Sequence, residues 1–243
     1  HSSNLHPWFL SALKSLPREP CGQSPCAVDG LCRAHNPYVN YYLFSRNGQG
    51  HPAPGAPGWF YYGHFGPHMP DFNLDDPGLR ADIADIARFW LSQGADGFRL
   101  DAVVHFYEEN TARNADFLAW FTGIVRDARP DAFLVAEAWK DPGTILSLYQ
   151  TGLDALFNFP FSGADGAIAK ALRDGDGAGL ARRAAEWQNR IEAARPGAVD
   201  APFLSNHDTG RSAGFLRMDP QRMKLAAAVY LLLPGVPFIY YGE

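Results

Sequence analysis

Three acidic residues stand at the ends of three separate apolar runs. Asp101 closes Ala95-Asp-Gly-Phe-Arg-Leu-Asp101, Glu137 closes Ala132-Phe-Leu-Val-Ala-Glu137, and Asp208 closes Ala201-Pro-Phe-Leu-Ser-Asn-His-Asp208. Short apolar runs bounded by Gly, Pro and Asp read as buried parallel strands, so each carboxylate is expected to emerge at a strand's C-terminal end. In a (β/α) barrel that face carries the active site. Cleaving a glycosidic bond with retention needs a carboxylate nucleophile and a carboxylic acid for the leaving oxygen, about 5–5.5 Å apart, which neighbouring barrel strands can deliver. Arg99 precedes Asp101 by two positions, so it projects to the same face and can keep Asp101 ionised through a charge-assisted hydrogen bond. Any one of these acids alone is more commonly a helix N-cap or a surface charge; the set of three favours chemistry. His207 reads either as a core histidine satisfied by backbone or, with Asp208, as a grip on vicinal hydroxyls that tightens as a sugar ring becomes oxocarbenium-like.

The elements that must position these residues follow a helix and strand grammar from Asp76 onward. Asp76 reads as an N-cap with Pro77 at the first helical position, and Leu79, Ile83, Ile86, Ala87, Trp90 and Leu91 fall on one face until Gly94. Strands are then expected at 95–100, 132–136, 153–157, 202–204 and 236–240. Helices are expected at 110–129, 142–149, across 163–195 and at 220–233. Strands alternating with helices imply a parallel α/β sheet. A closed eight-stranded barrel needs three more strands, and residues 1–70 supply no convincing parallel ones. That stretch, rich in Pro, Gly, Asn, His and Tyr, reads as an inserted subdomain with short strands.

At 47% apolar and 14% aromatic content the chain can bury a sizeable core, and 19% charged residues are too few for disorder. A net charge of -5 with no Lys/Arg run argues against nucleic acid or a membrane surface as partner and favours a neutral substrate. The most apolar stretch, 225–241, is broken by Pro234, Gly235 and Pro237, which suits a helix, a turn and a strand rather than a membrane span. Cys21, Cys26 and Cys32 match no common zinc spacing, so no metal site is expected there; one local disulfide plus a spare thiol, or three unbonded thiols, both remain open. The chain begins at His1 without a signal-peptide pattern, so both ends read as cuts in a longer polypeptide and its localisation stays open.

Gly97-Phe-Arg-Leu-Asp101-Ala-Val, Val135-Ala-Glu137-Ala-Trp and Phe203-Leu-Ser-Asn-His-Asp208 resemble the second, third and fourth signature regions of the α-amylase family, glycoside hydrolase family 13. Met69-Pro-Asp-Phe-Asn73 resembles the extra signature of that family's inserted domain B, and Gly235-Val-Pro-Phe-Ile-Tyr-Tyr-Gly-Glu243 resembles its eighth barrel strand. The five motifs, in order, cover nearly the whole chain. The resemblance implies a (β/α)8 TIM barrel, incomplete because the first three strands are largely missing. Residues 1–70 would be the end of strand 3 and domain B, and 71–243 the C-terminal part of the barrel.

It also implies a retaining glycoside hydrolase that cleaves α-1,4-glucosidic bonds of starch-like α-glucans. Asp101 would be the nucleophile with Arg99 positioning it, Glu137 the general acid/base, and Asp208 the transition-state stabiliser beside His207. His1 would close the first signature region and bind a sugar hydroxymethyl. His105 and Arg211 match positions that contact sugar, though a half-buried histidine and a surface arginine are the plain alternatives. Of the aromatics Trp59, Phe60, Tyr61, Tyr62, Trp139 and Phe159, Trp139 is the best candidate for stacking on sugar. Val104 stands where amylases frequently carry Lys, which weakens the case for long starch chains. The family's calcium site uses an Asn of the first region that is absent here, so no metal is assigned and calcium stays open for a full-length protein.

Rival readings are an α-glucosidase, oligo-1,6-glucosidase or transglycosylase of the same family, and a non-catalytic transporter partner, which usually loses the acids kept here. A metal-dependent barrel hydrolase using Asp101, His105, His207 and Asp208 would lack a His-x-His pair. Residues 1–243 alone are expected to be inactive and aggregation-prone, because a barrel short of strands exposes sheet edges.

Overall fold

Strand and helix alternate as expected in the computed structural model, which describes residues 1–27 and 31–243. Two compact units result, His1–Ala87 and Arg88–Glu243.

In the first unit, helix α1 (Pro7–Ser15) accompanies a small antiparallel sheet of strands β1 (Phe44–Ser45), β2 (His51–Pro52) and β3 (Phe60–Tyr61), in the order β1-β3-β2. Its core is aromatic. Phe9 is fully buried and meets Tyr42 and Tyr61 edge-on, each with centroids 5.0 Å apart, and lies parallel to Phe44. Such packing depends on a few large rings at irregular spacing, which is why neither helical nor strand periodicity shows in this stretch.

Helix α2 (Pro77–Ser92) starts where its cap dictates, with the Asp76 carboxylate accepting from the Leu79 amide at 2.9 Å. Leu79, Ala84, Ala87 and Leu91 are buried on one face. Ile86 and Trp90, expected on that face, are instead 47% and 54% exposed, with Phe89 beside them. The apolar stripe is wider than the buried face, and the described residues cover only part of it.

The second unit holds the parallel sheet. Strands β4 (Gly97–Leu100), β6 (Phe133–Ala136), β7 (Ala155–Phe157) and β8 (Val199–Ala201) pair in the order β4-β6-β7-β8, every neighbour parallel. A short strand β5 (Phe106–Glu109) leaves that sheet on the way to helix α3 (Thr111–Ala128). The Asn110 side chain caps α3 by accepting from the Arg113 amide, and the helix buries Phe117, Leu118, Phe121 and Val125. Helix α4 (Pro142–Leu148) crosses from β6 to β7. Helices α5 (Ala167–Asp174) and α6 (Gly177–Ala194) cross from β7 to β8, and α7 (Ser212–Phe215) and α8 (Pro220–Leu232) follow. Gly97 is required by close approach: it sits at φ 157°, and a Cβ there would lie 1.8 Å from the Phe133 carbonyl oxygen.

Two expected strands differ. The strand expected at 202–204 lies earlier, at Val199–Ala201, because Pro202 has no amide hydrogen to continue the ladder. The segment 236–240 is not a strand, yet Val236 and Phe238 donate to the carbonyls of Asp200 and Pro202 at 2.8 and 2.9 Å, so it runs beside β8. Pro237, between them, occupies the alternate position whose amide would face away from β8, so its missing hydrogen costs this pairing nothing. No helix among the described residues is long and apolar enough to cross a membrane.

Candidate active site

The register Leu100↔Ala136 puts Asp101 and Glu137 at matching positions just past the ends of adjacent parallel strands. Two backbone bonds fix them there: the Glu137 amide donates to the Leu100 carbonyl at 2.8 Å, and the Val103 amide donates to the Glu137 carbonyl at 3.0 Å. After Asp101 the chain leaves the strand direction, with Ala102 at φ 44° and a 3-10 turn over Val103–His105. Within that turn Val103 and Val104 are buried.

Arg99 joins the two acids. Its Nη1 donates to Asp101 Oδ1 at 2.7 Å, and its Nη2 donates to Glu137 Oε2. Its guanidinium also lies 5.8 Å from the centre of the Phe157 ring. Glu137 is buried while the Asp101 side chain is half exposed. Burial pushes the Glu137 carboxyl above its ordinary value; Arg99 and His207 oppose this, and the charges of Asp101 and Asp208 add to it. The ion pair with Arg99 and the upward shift pull in opposite directions, and desolvation is the larger effect.

Asp208 is not at a strand end. It follows β8 by a loop and sits in a turn, where its amide donates to the Asn206 side chain at 3.0 Å and the Asn206 amide donates to Thr209 Oγ1 at 2.9 Å. His207 Nε2 and Asp208 Oδ2 are 3.1 Å apart. Ser205, buried just before this turn, donates to the Glu243 carboxylate.

Arg99, Glu137, Ser205, Asn206 and His207 line a cavity of about 280 Å3 whose other walls are Phe157, Phe203, Phe238, Ile239 and Tyr240. The recess thus combines apolar walls with a few polar groups, the usual form of a small-molecule site. Trp139 is 56% exposed and stacks on Phe159 with centroids 4.9 Å apart and planes 17° from parallel, leaving its second face open. Arg211 is tied to the chain end, donating to the Tyr241 carbonyl with its guanidinium 4.8 Å from the Tyr240 ring. His105 is half-buried at the end of the 3-10 turn, its amide donating to Ala102 at 2.9 Å. His1 belongs to the first unit, where its ring meets Phe65 edge-on. Trp59, Phe60, Tyr61 and Tyr62 are also in the first unit; Tyr61 is buried, and Arg33 and Arg46 lie over the Trp59 ring.

The aromatic walls Phe157, Phe203, Phe238 and Tyr240 escaped the reading of the sequence as site residues, although the apolar run 236–240 was visible. The described residues do not gather Asp101, His105, His207 and Asp208 into a metal-ligating group; the one such group is in the first unit.

The family description "Alpha amylase, catalytic domain" matches residues 1–243. "Alpha-amylase 3" of Dictyoglomus thermophilum is 32% identical over all of this chain, which covers 45% of that protein. The solved structure of Eubacterium rectale Amy13B superposes with a TM-score of 0.88 at 36% identity, over 100% of this chain and 47% of that one. The α-amylase of H. orenii gives a TM-score of 0.79 at 30% identity, over 100% and 48%. The chain thus spans about half the length of these relatives.

Proposed function

This chain belongs to the α-amylase catalytic-domain family, and we propose that the intact protein is a retaining glycoside hydrolase that cleaves α-1,4-glucosidic bonds in starch-like α-glucans. The observation that carries this reading is the single guanidinium of Arg99 held between Asp101 and Glu137. A planar fork of that kind keeps two carboxylates a few ångströms apart on one face, the arrangement that retention by double displacement requires.

Asp101, half exposed just past the end of β4 and bonded to Arg99 of the recess wall, attacks the anomeric carbon. Glu137, whose carboxyl burial keeps protonated to higher pH than usual, delivers its proton to the departing glycosidic oxygen. The glycosyl group is then carried as an ester on Asp101. In the second half, Glu137 removes a proton from water as the water oxygen attacks the same carbon, and Asp101 leaves as a carboxylate. His207 and Asp208, 3.1 Å apart, present a donor and an acceptor to adjacent sugar hydroxyls. Phe157, Phe203 and Tyr240 form walls that limit water at the reacting bond, and Trp139 offers its open face to a neighbouring sugar ring.

Digestion of maltoheptaose and of isomaltose by the intact protein tests the bond preference. Rapid production of shorter maltooligosaccharides with slow or no attack on isomaltose is expected. Faster cleavage of isomaltose would move the reading to an oligo-1,6-glucosidase, and longer products would make it a transglycosylase.

A further inference from the structure

In the first unit the loop after α1 brings Cys21, Cys26, Cys32 and His35 together, with all four ligand atoms within 4.8 Å of one another. The individual distances are the informative part. Sγ of Cys21 lies 3.5 Å from Sγ of Cys26 and 3.6 Å from Sγ of Cys32. His35 Nδ1 lies 3.5 Å from Sγ of Cys21 and 3.0 Å from Sγ of Cys32. A zinc ion with bonds of about 2.3 Å to sulfur and about 2.0 Å to nitrogen, in tetrahedral geometry, separates its ligands by about 3.8 Å between sulfurs and about 3.5 Å between sulfur and nitrogen. The cluster therefore has nearly the dimensions of a coordination tetrahedron. A disulfide would need one sulfur pair at about 2.05 Å, and none of the three cysteines is in one.

The surroundings suit thiolates. The Cys21 amide points at Sγ of Cys32 at 3.4 Å and the Cys32 amide at Sγ of Cys26 at 3.3 Å, which are the backbone contacts that orient and stabilise metal-bound sulfur. Cys32 is fully buried. The turn that carries Cys32 and His35 is anchored on α1: the Asn36 side chain donates to the Ser11 carbonyl and to the hydroxyls of Ser11 and Ser15, at 2.9 to 3.0 Å. This loop has no strand or α-helix of its own between Ser15 and Asn36 among the described residues, so a cross-link there replaces the packing the segment lacks.

We propose that Cys21, Cys26, Cys32 and His35 form a structural zinc site, closed by four protein ligands, that fixes this loop. The spacing Cys-x4-Cys-x5-Cys-x2-His differs from the common zinc patterns, which is why the cysteines alone did not reveal it; the fourth ligand, His35, completes the set.

The test uses the intact protein purified under reducing conditions without chelator or metal-affinity resin. Elemental analysis is expected to find about one zinc per chain, and less than about a tenth of that in Cys32→Ser and in His35→Ala. Because such variants can misfold, the wild-type protein is also exchanged with cobalt(II). Thiolate-to-cobalt charge-transfer bands and tetrahedral d–d bands are expected. Wild-type protein that lacks zinc and shows no such cobalt bands overturns the proposal. So do folded variants that retain the full zinc content, or a disulfide between any two of the three cysteines in the wild type.

Discussion

Asp101 and Glu137 are held by opposite nitrogens of one guanidinium, that of Arg99, at the ends of strands paired in register. The pairing makes their environments unequal. Asp101 is half exposed and Glu137 is buried, so desolvation falls mainly on Glu137, the proton donor of the proposed mechanism.

The pH profile should report that inequality. In the proposed mechanism Glu137 acts as an acid while protonated, so kcat/KM should fall as pH rises through its folded pKa, which lies above the ordinary value. Arg99 opposes the shift, and Arg99→Met should move the alkaline limb to higher pH while lowering kcat. An alkaline limb that moved to lower pH in this variant would show that Arg99 does not hold the Glu137 charge.

Glu137→Gln should lower kcat on maltooligosaccharides by about 10²–10⁴-fold. On α-glucosyl fluoride, whose leaving group needs no proton, the first step should suffer far less. Comparing the two substrates by steady-state kinetics separates loss of the acid from loss of the fold.

Asp200, buried on β8, accepts from Asn158 at 2.5 Å and from the Trp187 indole at 3.2 Å. Those bonds favour its charged form, but burial prevails and pushes its pKa from 3.8 up to about 6. A raised folded pKa means that its stabilising contribution is fully present below 3.8 and lost as pH rises through about 6. Denaturant titrations should show that loss in wild type and not in Asp200→Ala. That variant should also be about 1–3 kcal/mol less stable, because two buried donors lose their acceptor.

How much of this was legible in the sequence depended on the kind of interaction. Helix α3 was readable to within a residue because Asn110 caps it and its apolar residues recur at helical spacing. The strand near Pro202 was misplaced because its apolar content continues past Pro202, which has no amide hydrogen to donate. Asp200 drew no notice, since its meaning comes from Asn158 and Trp187, which are distant in sequence. The Cys–His cluster was hidden for a similar reason: the spacing of three cysteines says little until the loop folds His35 against them. Ile86 and Trp90 were read onto the apolar face of α2 yet are exposed, because periodicity marks an apolar stripe without saying what covers it.

Those exposed side chains give a further expectation. As an isolated polypeptide, 1–243 presents Ile86, Phe89, Trp90, Leu225, Leu231 and Leu232 to solvent. Patches of this kind drive association, so light scattering should show concentration-dependent aggregates, and replacing Phe89 and Trp90 by polar residues should reduce them. A monodisperse, unmodified 1–243 would contradict this.

Trp139→Ala should raise KM for maltoheptaose about 2–10-fold, the loss of one stacking contact, and change stability by about 1 kcal/mol or less. An unchanged KM would remove Trp139 from the substrate path.

The central claim is that Asp101 carries the sugar. It is tested most directly by trapping the intact protein with 5-fluoro-α-glucosyl fluoride, which is designed to slow the breakdown of a covalent intermediate, and sequencing the labelled peptide by mass spectrometry. The glycosyl group is expected on Asp101 and absent from Asp101→Asn. A label on any other residue, or product released with inverted anomeric configuration, would contradict the account.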